Sequence, residues 1–211
     1  MISGIVLAGG ASRRFGGDKL AERIDGRSLL ELAARSLPGV VDEILVVVAP
    51  GRPVPELDLG DGAPPLRFAP DPAPFEGPLA GLRTGLAAAR GVTVVVIGGD
   101  MPSVVPAVLA LLLRRVPSGL TDEAGVLRPL PVALERATAL PAAERLLAGG
   151  ERRLRALLVE LATEALPRAA WAAQDPAGLT LLDIDERADL ARQQQGSDLA
   201  IGALREEEPG P

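Results

Sequence analysis

Residues 7–19 form a glycine-rich, basic stretch that could bind phosphate. They directly follow a short apolar run, residues 2–6, which only Ser3 and Gly4 interrupt, and they contain three cationic side chains, Arg13, Arg14 and Lys19. Glycine allows main-chain N–H groups to turn toward an anion and approach it closely. The stretch has neither the Gly-Lys-Ser/Thr ending of a Walker A motif nor the Gly-x-Gly-x-x-Gly spacing of dinucleotide-binding proteins. We therefore predict a phosphate-binding loop of a different kind, placed directly after a buried strand.

Asp100 is the second candidate, and its position favours metal binding. It follows the apolar run 92–97 and precedes Met101 and Pro102. A carboxylate at the carboxyl end of a buried strand is well placed to hold Mg²⁺, and a proline just after it ends strand pairing. The alternative is that Asp100 only caps the helix that follows.

Three missing residue types narrow the chemistry further. The chain has no Cys, His or Tyr. Disulfides, thiolate metal sites, Ser-His-Asp triads and histidine acid–base catalysis are therefore excluded. Catalysis must use Asp, Glu, Lys, Arg, main-chain amides or a metal held by oxygen ligands, which favours Mg²⁺, Mn²⁺ or Ca²⁺ over zinc.

The composition predicts a folded, acidic domain. Of the 211 residues, 47% are hydrophobic and 24% are charged, and the formal net charge is −6. An acidic protein is poorly suited to nucleic acid, so a basic loop within it favours a small phosphorylated ligand. No apolar stretch has the length of a membrane span, and the apolar N-terminus is too short and lacks the basic leader of a signal peptide. We expect a cytoplasmic protein.

Apolar runs alternate with amphipathic stretches, which predicts a three-layer α/β/α fold with a mostly parallel, Rossmann-like sheet. The predicted strands are 2–7, 43–49, 66–69, 92–97, 125–127, 130–134 and 179–184. The predicted helices are 28–35, with Ser28 as its N-cap, 79–90, 105–115, 141–148, 153–164 and 186–195. We expect one domain over residues 1–195 and a mobile acidic tail over 196–211.

The basic loop resembles the signature of a known family. Residues 7–19 read LAGGASRRFGGDK. This is similar to Leu-Ala-Gly-Gly-x-Ser-x-Arg-Met-Gly-x-Asp-Lys of the molybdenum cofactor guanylyltransferases, which belong to the nucleotidyltransferases of the sugar-nucleotide type. The chain departs from it at Phe15, where the family usually has Met, and at the additional glycine Gly17. The matching positions are Leu7, Ala8, Gly9, Gly10, Ser12, Arg14, Gly16, Asp18 and Lys19.

The resemblance extends to two further segments. Gly99-Asp100-Met101-Pro102 resembles the Asp-Met-Pro motif, whose aspartate binds metal and phosphates. Asp71 with Gly77-Pro78-Leu79-Ala80-Gly81 resembles the family's Asp followed by Gly-Pro-Leu-Ala-Gly. The combination of Gly9-Gly10 with Gly77 to Gly81 resembles the GTP-using branch, since the cytidylyltransferase relatives tend to carry Leu-Ala-Ala-Gly in the first loop. The alternative for this segment is a proline-rich turn and helix start.

The resemblance implies a role for each matching residue. Catalytic roles fall to Lys19, Asp100 and Arg14, of which Asp100 is the metal ligand. Nucleotide contacts fall to Leu7, Ala8, Gly9, Gly10, Ser12, Lys19, Asp71, Gly77 and Asp100.

Three segments resemble the family less closely. Residues 128–134 resemble the segment that faces the second substrate, and residues 149–154 another family segment, with Arg152 and Arg153 as candidate partners of a pterin phosphate or as a solvated helix start. Residues 183–190, DIDERADL, resemble Asn-Ile-Asn-Thr-Pro-Glu-Asp-Leu. Asp183 and Asp185 stand where the family has asparagines.

The implied reaction is Mg²⁺-dependent. The terminal phosphate of molybdopterin attacks the α-phosphorus of GTP, pyrophosphate leaves, and molybdopterin guanine dinucleotide forms. A phosphate nucleophile is already ionised at neutral pH, so no general base is required. We expect a monomer that hands its product to molybdenum cofactor insertion proteins or apoenzymes and uses neither nucleic acid nor membrane. The alternatives are CTP or another phosphorylated acceptor as substrate, a non-catalytic nucleotide-binding regulator, and a domain without a nucleotide site.

Overall fold

A seven-stranded sheet organises the chain, with helices on both faces. The computed structural model describes residues 1–9, 18–51, 53–72, 77–184 and 189. The strands are β1 (Ile2–Ala8), β2 (Arg23–Ile24), β3 (Arg27–Ser28), β4 (Glu43–Val48), β5 (Leu66–Pro70), β6 (Thr93–Gly98), β7 (Ser118–Thr121), β8 (Leu127–Glu135) and β9 (Glu164–Leu166). The helices are α1 (Leu29–Ala34), α2 (Pro78–Ala88), α3 (Pro106–Leu112), α4 (Arg136–Ala148), α5 (Leu154–Glu160) and α6 (Arg168–Trp171), with 3₁₀ turns at Lys19–Ala21 and Leu179–Leu181.

The strand order is β5-β4-β1-β6-β8-β7-β9, and β2 pairs with β3 as a separate hairpin. Strands β5, β4, β1 and β6 are parallel, whereas β8 runs antiparallel to both β6 and β7. The parallel strands are apolar over most of their length because helices cover both of their faces, and their polar residues, Ser3, Glu43, Arg67 and Thr93, lie at or near the amino ends of the strands. The predicted α/β/α architecture with a mostly parallel sheet is confirmed.

Alternating residues of the central strands build two apolar layers. Val6, Val46 and Ile97 pack on the side of α1 and α3, and Ile5 and Val47 pack on the side of α2, α4 and α5. This alternation follows from the two-residue period of a strand. The same alternation places the last two residues of β1 on opposite faces of the sheet, with Leu7 on the α2 side and Ala8 on the α1 side.

The first half of the chain follows the predicted elements closely, except for the 3₁₀ turn at Lys19–Ala21 and the β2–β3 hairpin, which were not predicted. Ser28 caps α1 as predicted, because its Oγ accepts a hydrogen bond from the Glu31 N–H at 3.1 Å. The second half differs more. Strand β7 was not predicted, residues 125–126 lie in a turn before β8, and α4 begins at Arg136 with Pro141 inside the helix. The predicted helix 153–164 ends at Glu160, and β9 begins at Glu164.

The strand predicted over residues 179–184 is wrong. A 3₁₀ turn forms at Leu179–Leu181, because Gly178 adopts φ +70° and the buried Asp175 carboxylate accepts the N–H groups of Leu179 and Thr180 at 3.1 and 2.7 Å. These contacts hold the segment in a turn in place of an extended pairing. Except for Asp189, the helix predicted over 186–195 lies outside the described residues, as does the tail.

A hydrogen-bonded carboxylate closes the amino edge of the sheet. Glu43 is buried, and its carboxylate accepts from Ser3 Oγ at 2.7 Å, from the Arg90 N–H at 2.7 Å and from Arg67 Nη1 at 2.8 Å. Burial raises the pKa of Glu43, but these hydrogen bonds and the Arg67 charge outweigh it and hold the pKa below its ordinary value. In the described part of the chain, no helix is long and apolar enough to cross a membrane.

Candidate functional site

Three of the predicted site residues, Ala8, Asp71 and Asp100, lie at the carboxyl edge of the sheet. Ala8 ends β1, Asp100 follows β6 and Asp71 follows β5. Because these strands are parallel, their carboxyl ends lie along one edge, which is where ligands bind in open α/β sheets. The turn after β6 is fixed to β1 by the Gly99 N–H, which donates to the Leu7 carbonyl at 3.0 Å.

Lys19 and Asp100 form the central contact of this edge. Lys19 Nζ donates to Asp100 Oδ2 at 2.9 Å, and Lys19 is only 7% exposed. The 3₁₀ turn Lys19–Ala21 presents the lysine, and Leu20 and Leu30 pack against Gly99. The fold thus brings together a cation and a carboxylate that are 81 residues apart in the sequence.

Gly98 is a positioning residue that the sequence analysis did not single out. A Cβ on Gly98 would lie 2.5 Å from Asp100 Oδ1 and 3.2 Å from Met101 Cγ. The Asp100 carboxylate therefore folds back over Gly98 and turns Oδ2 to Lys19. The Gly-Gly-Asp sequence was the available signal, since glycine often marks close approach of backbone to another group.

Asp71 lies at the far end of the same edge, on the α2 side of the sheet. Its N–H donates to the Val48 carbonyl at 2.9 Å, and its Oδ1 accepts from Thr84 Oγ1 at 3.2 Å. Three strand spacings, roughly 14 Å, separate β5 from β6. One small group cannot contact both Asp71 and Asp100, but one extended ligand can.

Gly77 begins the segment that the resemblance assigns to the nucleotide. Its φ of +92° favours glycine, and a Cβ there would lie 3.0 Å from both the Cβ and the carbonyl oxygen of Arg152. The same Arg152 carbonyl accepts the Leu79 N–H at 3.2 Å. Packing against Arg152 accounts for the glycine, and the segment before α5 thus supports the start of α2.

A cavity of about 380 Å³ opens beside β1 and β4 on the α1 side of the sheet. This volume is within the range of small-molecule sites, about 300–1,000 Å³. Among the predicted site residues within the described part of the chain, Ala8 lines it, whereas Leu7 points to the opposite face near Gly81. The lining residues are Ala8, Asp18, Leu20, Ala21, Arg23, Ser28, Leu30, Val48, Pro53, Pro55 and Glu56.

Some predicted residues cannot be placed. Gly10, Ser12 and Arg14 lie outside the described residues, as do Arg13 and Asp185.

The donor set at Asp100 fits a magnesium ion carried by phosphates. Within the described ranges, no three acidic side chains converge as a metal cage. Asp100 offers one carboxylate, and 32% of its side chain is exposed. Mg²⁺ is usually bound by one or two carboxylates together with substrate phosphates and water, so a single partly exposed aspartate suits it.

Arg128 lies at the start of β8, on the other side of Asp100 from β1. Its Nη2 is 3.4 Å from Asp183 Oδ1, and its Nη1 is 3.9 Å from Asp122 Oδ2. Ile184, which follows Asp183 in the sequence, donates its N–H to the Asp100 carbonyl at 2.9 Å. The fold thus joins two of the segments that resemble the family less closely to the turn that carries Asp100.

Comparisons with known proteins identify relatives of this chain. The model of the MobA-like NTP transferase domain family matches residues 4–165. A Chloroflexus aggregans protein named "Probable molybdenum cofactor guanylyltransferase" is 37% identical over 200 residues, which are 90% of this chain and 92% of that protein. A Deinococcus radiodurans protein of the same name is 35% identical over 161 residues, 73% of this chain and 77% of the relative.

Solved structures show the same fold. Molybdopterin-guanine dinucleotide biosynthesis protein A from Archaeoglobus fulgidus aligns with a TM-score of 0.72 at 21% identity, over 93% of this chain and 98% of that one. The 2-C-methyl-D-erythritol 4-phosphate cytidylyltransferase of Thermus thermophilus aligns with a TM-score of 0.63 at 18% identity, over 90% and 96%. Since the family model covers most of the chain and the Chloroflexus relative aligns over nine-tenths of it, the chain belongs to the MobA-like NTP transferases, a family of nucleotidyltransferases.

Proposed function

We propose that this protein transfers GMP from GTP to the terminal phosphate of molybdopterin, with Mg²⁺ as the metal, and releases pyrophosphate. The observation that carries the proposal is the Lys19–Asp100 contact of 2.9 Å at the carboxyl edge of β1 and β6. It supplies a cation for phosphates and a carboxylate for a metal at one point. The names of the Chloroflexus and Deinococcus relatives support guanine and the molybdenum cofactor as the two partners of the reaction.

In the proposed reaction, an oxygen of the acceptor phosphate forms a bond to the α-phosphorus of GTP. The bond from that phosphorus to the β-phosphate oxygen breaks, and pyrophosphate leaves with the electron pair. The nucleophile carries negative charge at neutral pH, so catalysis consists of positioning and charge neutralisation. Lys19 faces the charge that grows on the leaving group, and a group aimed at developing charge lowers the barrier more than it tightens substrate binding.

The remaining proposed roles follow the order of strands along the edge. The nucleoside extends from Leu7, Ala8 and Gly9 toward Asp71. The resemblance assigns phosphate binding to Gly10, Ser12 and Arg14, which lie outside the described residues. Asp100 would hold Mg²⁺, which when bound neutralises phosphate charge. Asp71, when ionised, only accepts hydrogen bonds, which suits a donor group of the nucleoside.

Two measurements test this proposal together. The first is the melting temperature with Mg²⁺ and each of GTP, CTP and ATP, where we expect GTP to raise it most. The second is pyrophosphate release, which we expect only when GTP, Mg²⁺ and molybdopterin are all present. Stabilisation by CTP and not GTP would overturn the guanylyl assignment. GTP binding without pyrophosphate release would make the protein a nucleotide-binding regulator.

A further inference from the structure

Met101 is the member of the Asp-Met-Pro motif to which the proposed function gives no role. It is 4% exposed and belongs to the apolar layer on the α1 and α3 side of the sheet. Leucine is as apolar as methionine and fills a similar volume, so packing in this layer does not require a sulfur atom. The contact of that sulfur with the turn after β6 supplies a reason for it.

The Met101 sulfur accepts a main-chain hydrogen bond. The Gly98 N–H donates to Met101 Sδ at 3.3 Å, and the bond is buried. The Gly98 carbonyl in turn accepts the Met101 N–H at 3.3 Å. Residues 98–101 thus form a four-residue turn that Met101 closes twice, once with its main chain and once with its side chain.

Gly98 lies where the pairing of β6 with β8 has ended. The Gly99 N–H donates to the Leu7 carbonyl of β1 at 3.0 Å. Successive N–H groups of a strand point to opposite sides, so the Gly98 N–H points away from β1, toward β8. The pairing of β6 with β8 ends at Val96, opposite Val132. Beyond that point a thioether, which is a weak acceptor, takes the place that a strand carbonyl would have.

The same turn sets the direction of the Asp100 carboxylate. A Cβ on Gly98 would lie 2.5 Å from Asp100 Oδ1 and 3.3 Å from Met101 Sδ, so both side chains lie close to Gly98. Asp100 Oδ2 accepts from Lys19 Nζ at 2.9 Å. Rotation of the Gly98 peptide moves the backbone that carries this carboxylate, because one residue separates the two. Met101 is therefore linked through Gly98 to the proposed metal ligand.

We propose that Met101 is a positioning residue: its sulfur holds the Gly98 N–H, and the turn fixed in this way keeps the Asp100 carboxylate in the direction that Mg²⁺ binding requires. The inference rests on the proposed function and adds a residue that acts through Asp100 without touching substrate. A buried N–H that loses its acceptor is costly, so the turn opens more readily once the sulfur is removed. Groups that orient a metal ligand contribute to metal affinity in this way.

Replacement of methionine by norleucine tests the sulfur alone, because it changes Sδ to a methylene group and keeps the length of the side chain. The chain contains two methionines, Met1 and Met101. Met101→Leu removes the second one, and growing this variant with norleucine shows the effect of Met1 by itself, which should alter neither amide exchange nor Mg²⁺ binding. Leu112→Met, an exchange of the same two residue types in the same apolar layer, is the matched control.

The hydrogen bond is measured by exchange of the Gly98 amide proton with solvent. Labelling with ¹³C′-isoleucine and ¹⁵N-glycine selects two NMR signals, from the Ile-Gly pairs at 97–98 and 201–202, and Ile201→Val removes the second. The Gly98 amide should exchange at least about fivefold faster in the norleucine protein and in Met101→Leu, the smallest cost of a buried donor without an acceptor. Exchange at the native rate in both proteins would overturn the hydrogen bond.

The link to the metal ligand is measured by nucleotide binding without turnover. Calorimetry gives the Kd of the α,β-methylene analogue of GTP with and without Mg²⁺, and the ratio of the two is the gain in affinity due to the metal. This gain should fall at least about threefold in the norleucine protein and in Met101→Leu, less than the 10–100-fold cost of losing a stronger partner of a metal ligand. Leu112→Met should keep the native ratio. An unchanged ratio together with faster Gly98 exchange would overturn the positioning role.

These measurements separate the inference from the proposed function. A gain from Mg²⁺ that depends on Met101, in a protein that transfers no GMP, would count against the proposed function alone. GMP transfer with a gain from Mg²⁺ that is independent of Met101 would count against this inference alone. The Kd without Mg²⁺ should stay within about twofold in every variant, and a larger change would mean that the substitution disturbs the nucleotide site itself and would also overturn the positioning role.

Discussion

Gly85 lies directly against Ile5. A Cβ on Gly85 would come within 2.7 Å of Ile5 Cγ2 and 3.2 Å of Val47 Cγ2, so α2 can pack this closely on the sheet only without a side chain there. One turn earlier in the same helix, a Cβ on Gly81 would meet Asp71, Leu7 and Val47 atoms at 3.8–3.9 Å, which is ordinary contact. Protein packing explains Gly85 and leaves Gly81 unexplained.

These two glycines give a matched pair of substitutions. Gly85→Ala should lower the free energy of unfolding by about 1–3 kcal/mol through overpacking, with little change in the KM for GTP. Gly81→Ala should keep or increase stability, since alanine favours a helix by up to about 1 kcal/mol, and should raise the KM for GTP because the added methyl occupies space for the base. Urea unfolding and steady-state kinetics measure both quantities. A Gly81→Ala protein with native KM would show that the nucleotide does not lie over this turn.

Lys19→Met should abolish most of the activity while the fold persists. Methionine keeps the length and apolar stem of lysine but removes the charge, so we expect kcat/KM to fall about 10²–10³-fold, the usual cost of removing one group aimed at developing charge. Pyrophosphate release at saturating Mg²⁺ measures the effect. Native kcat/KM in this variant would contradict the role given to Lys19.

Asp100→Asn should change the dependence on Mg²⁺. Loss of the carboxylate should raise the Mg²⁺ concentration for half-maximal activity by at least about tenfold, since even indirect partners of a metal site contribute that much. Asp42→Asn, at the opposite edge of the sheet and 60% exposed in its side chain, is the control. Equal Mg²⁺ dependence in both variants would contradict the assignment of Asp100 as the metal ligand.

Glu43→Gln should change the pH dependence of stability. The pKa of Glu43 is lower in the folded protein than its ordinary value of about 4.3, so its ionised form stabilises the fold fully above that pH. This contribution is lost as the pH falls below about 4.3 toward the folded pKa. Urea unfolding should show a loss of about 1–3 kcal/mol in Glu43→Gln at pH 7. From pH 5 to pH 3, stability should fall less steeply in the variant than in the native protein, and equal slopes would exclude this linkage.

The neighbourhood of Lys19 and Asp100 could be predicted because both follow apolar strands that must lie parallel. Once β1 and β6 are adjacent, the residues after them share an edge, and chain order alone implies this. The role of Ser28 as the N-cap of α1 could be predicted equally well, since a serine three residues before a glutamate is typical of a helix start.

The strands and helices of the second half could not be predicted from local sequence because they depend on contacts with residues far away in the chain. Strand β7 is the short sequence SGLT, which gains its ordering from β8 and β9. The apolar residues of 179–184 favour a strand, but the buried Asp175 carboxylate accepts the N–H groups of Leu179 and Thr180, which a strand would use for pairing. The contact between Arg152 and Gly77 could not be predicted either, because the glycine was the only feature of the sequence that indicated it.

The hydrogen bond from Ile184 to the Asp100 carbonyl has a consequence for synthesis of the chain. Ile184 is buried against Ile24 and Leu29, so a late segment completes a layer begun by two early ones. The turn that carries Asp100 therefore acquires its last main-chain partner only after nearly the whole described chain has left the ribosome. A nascent chain that has released residues 9–19 and β6 still lacks this support, so the turn that carries Asp100 gains it only after residue 184 has been synthesised.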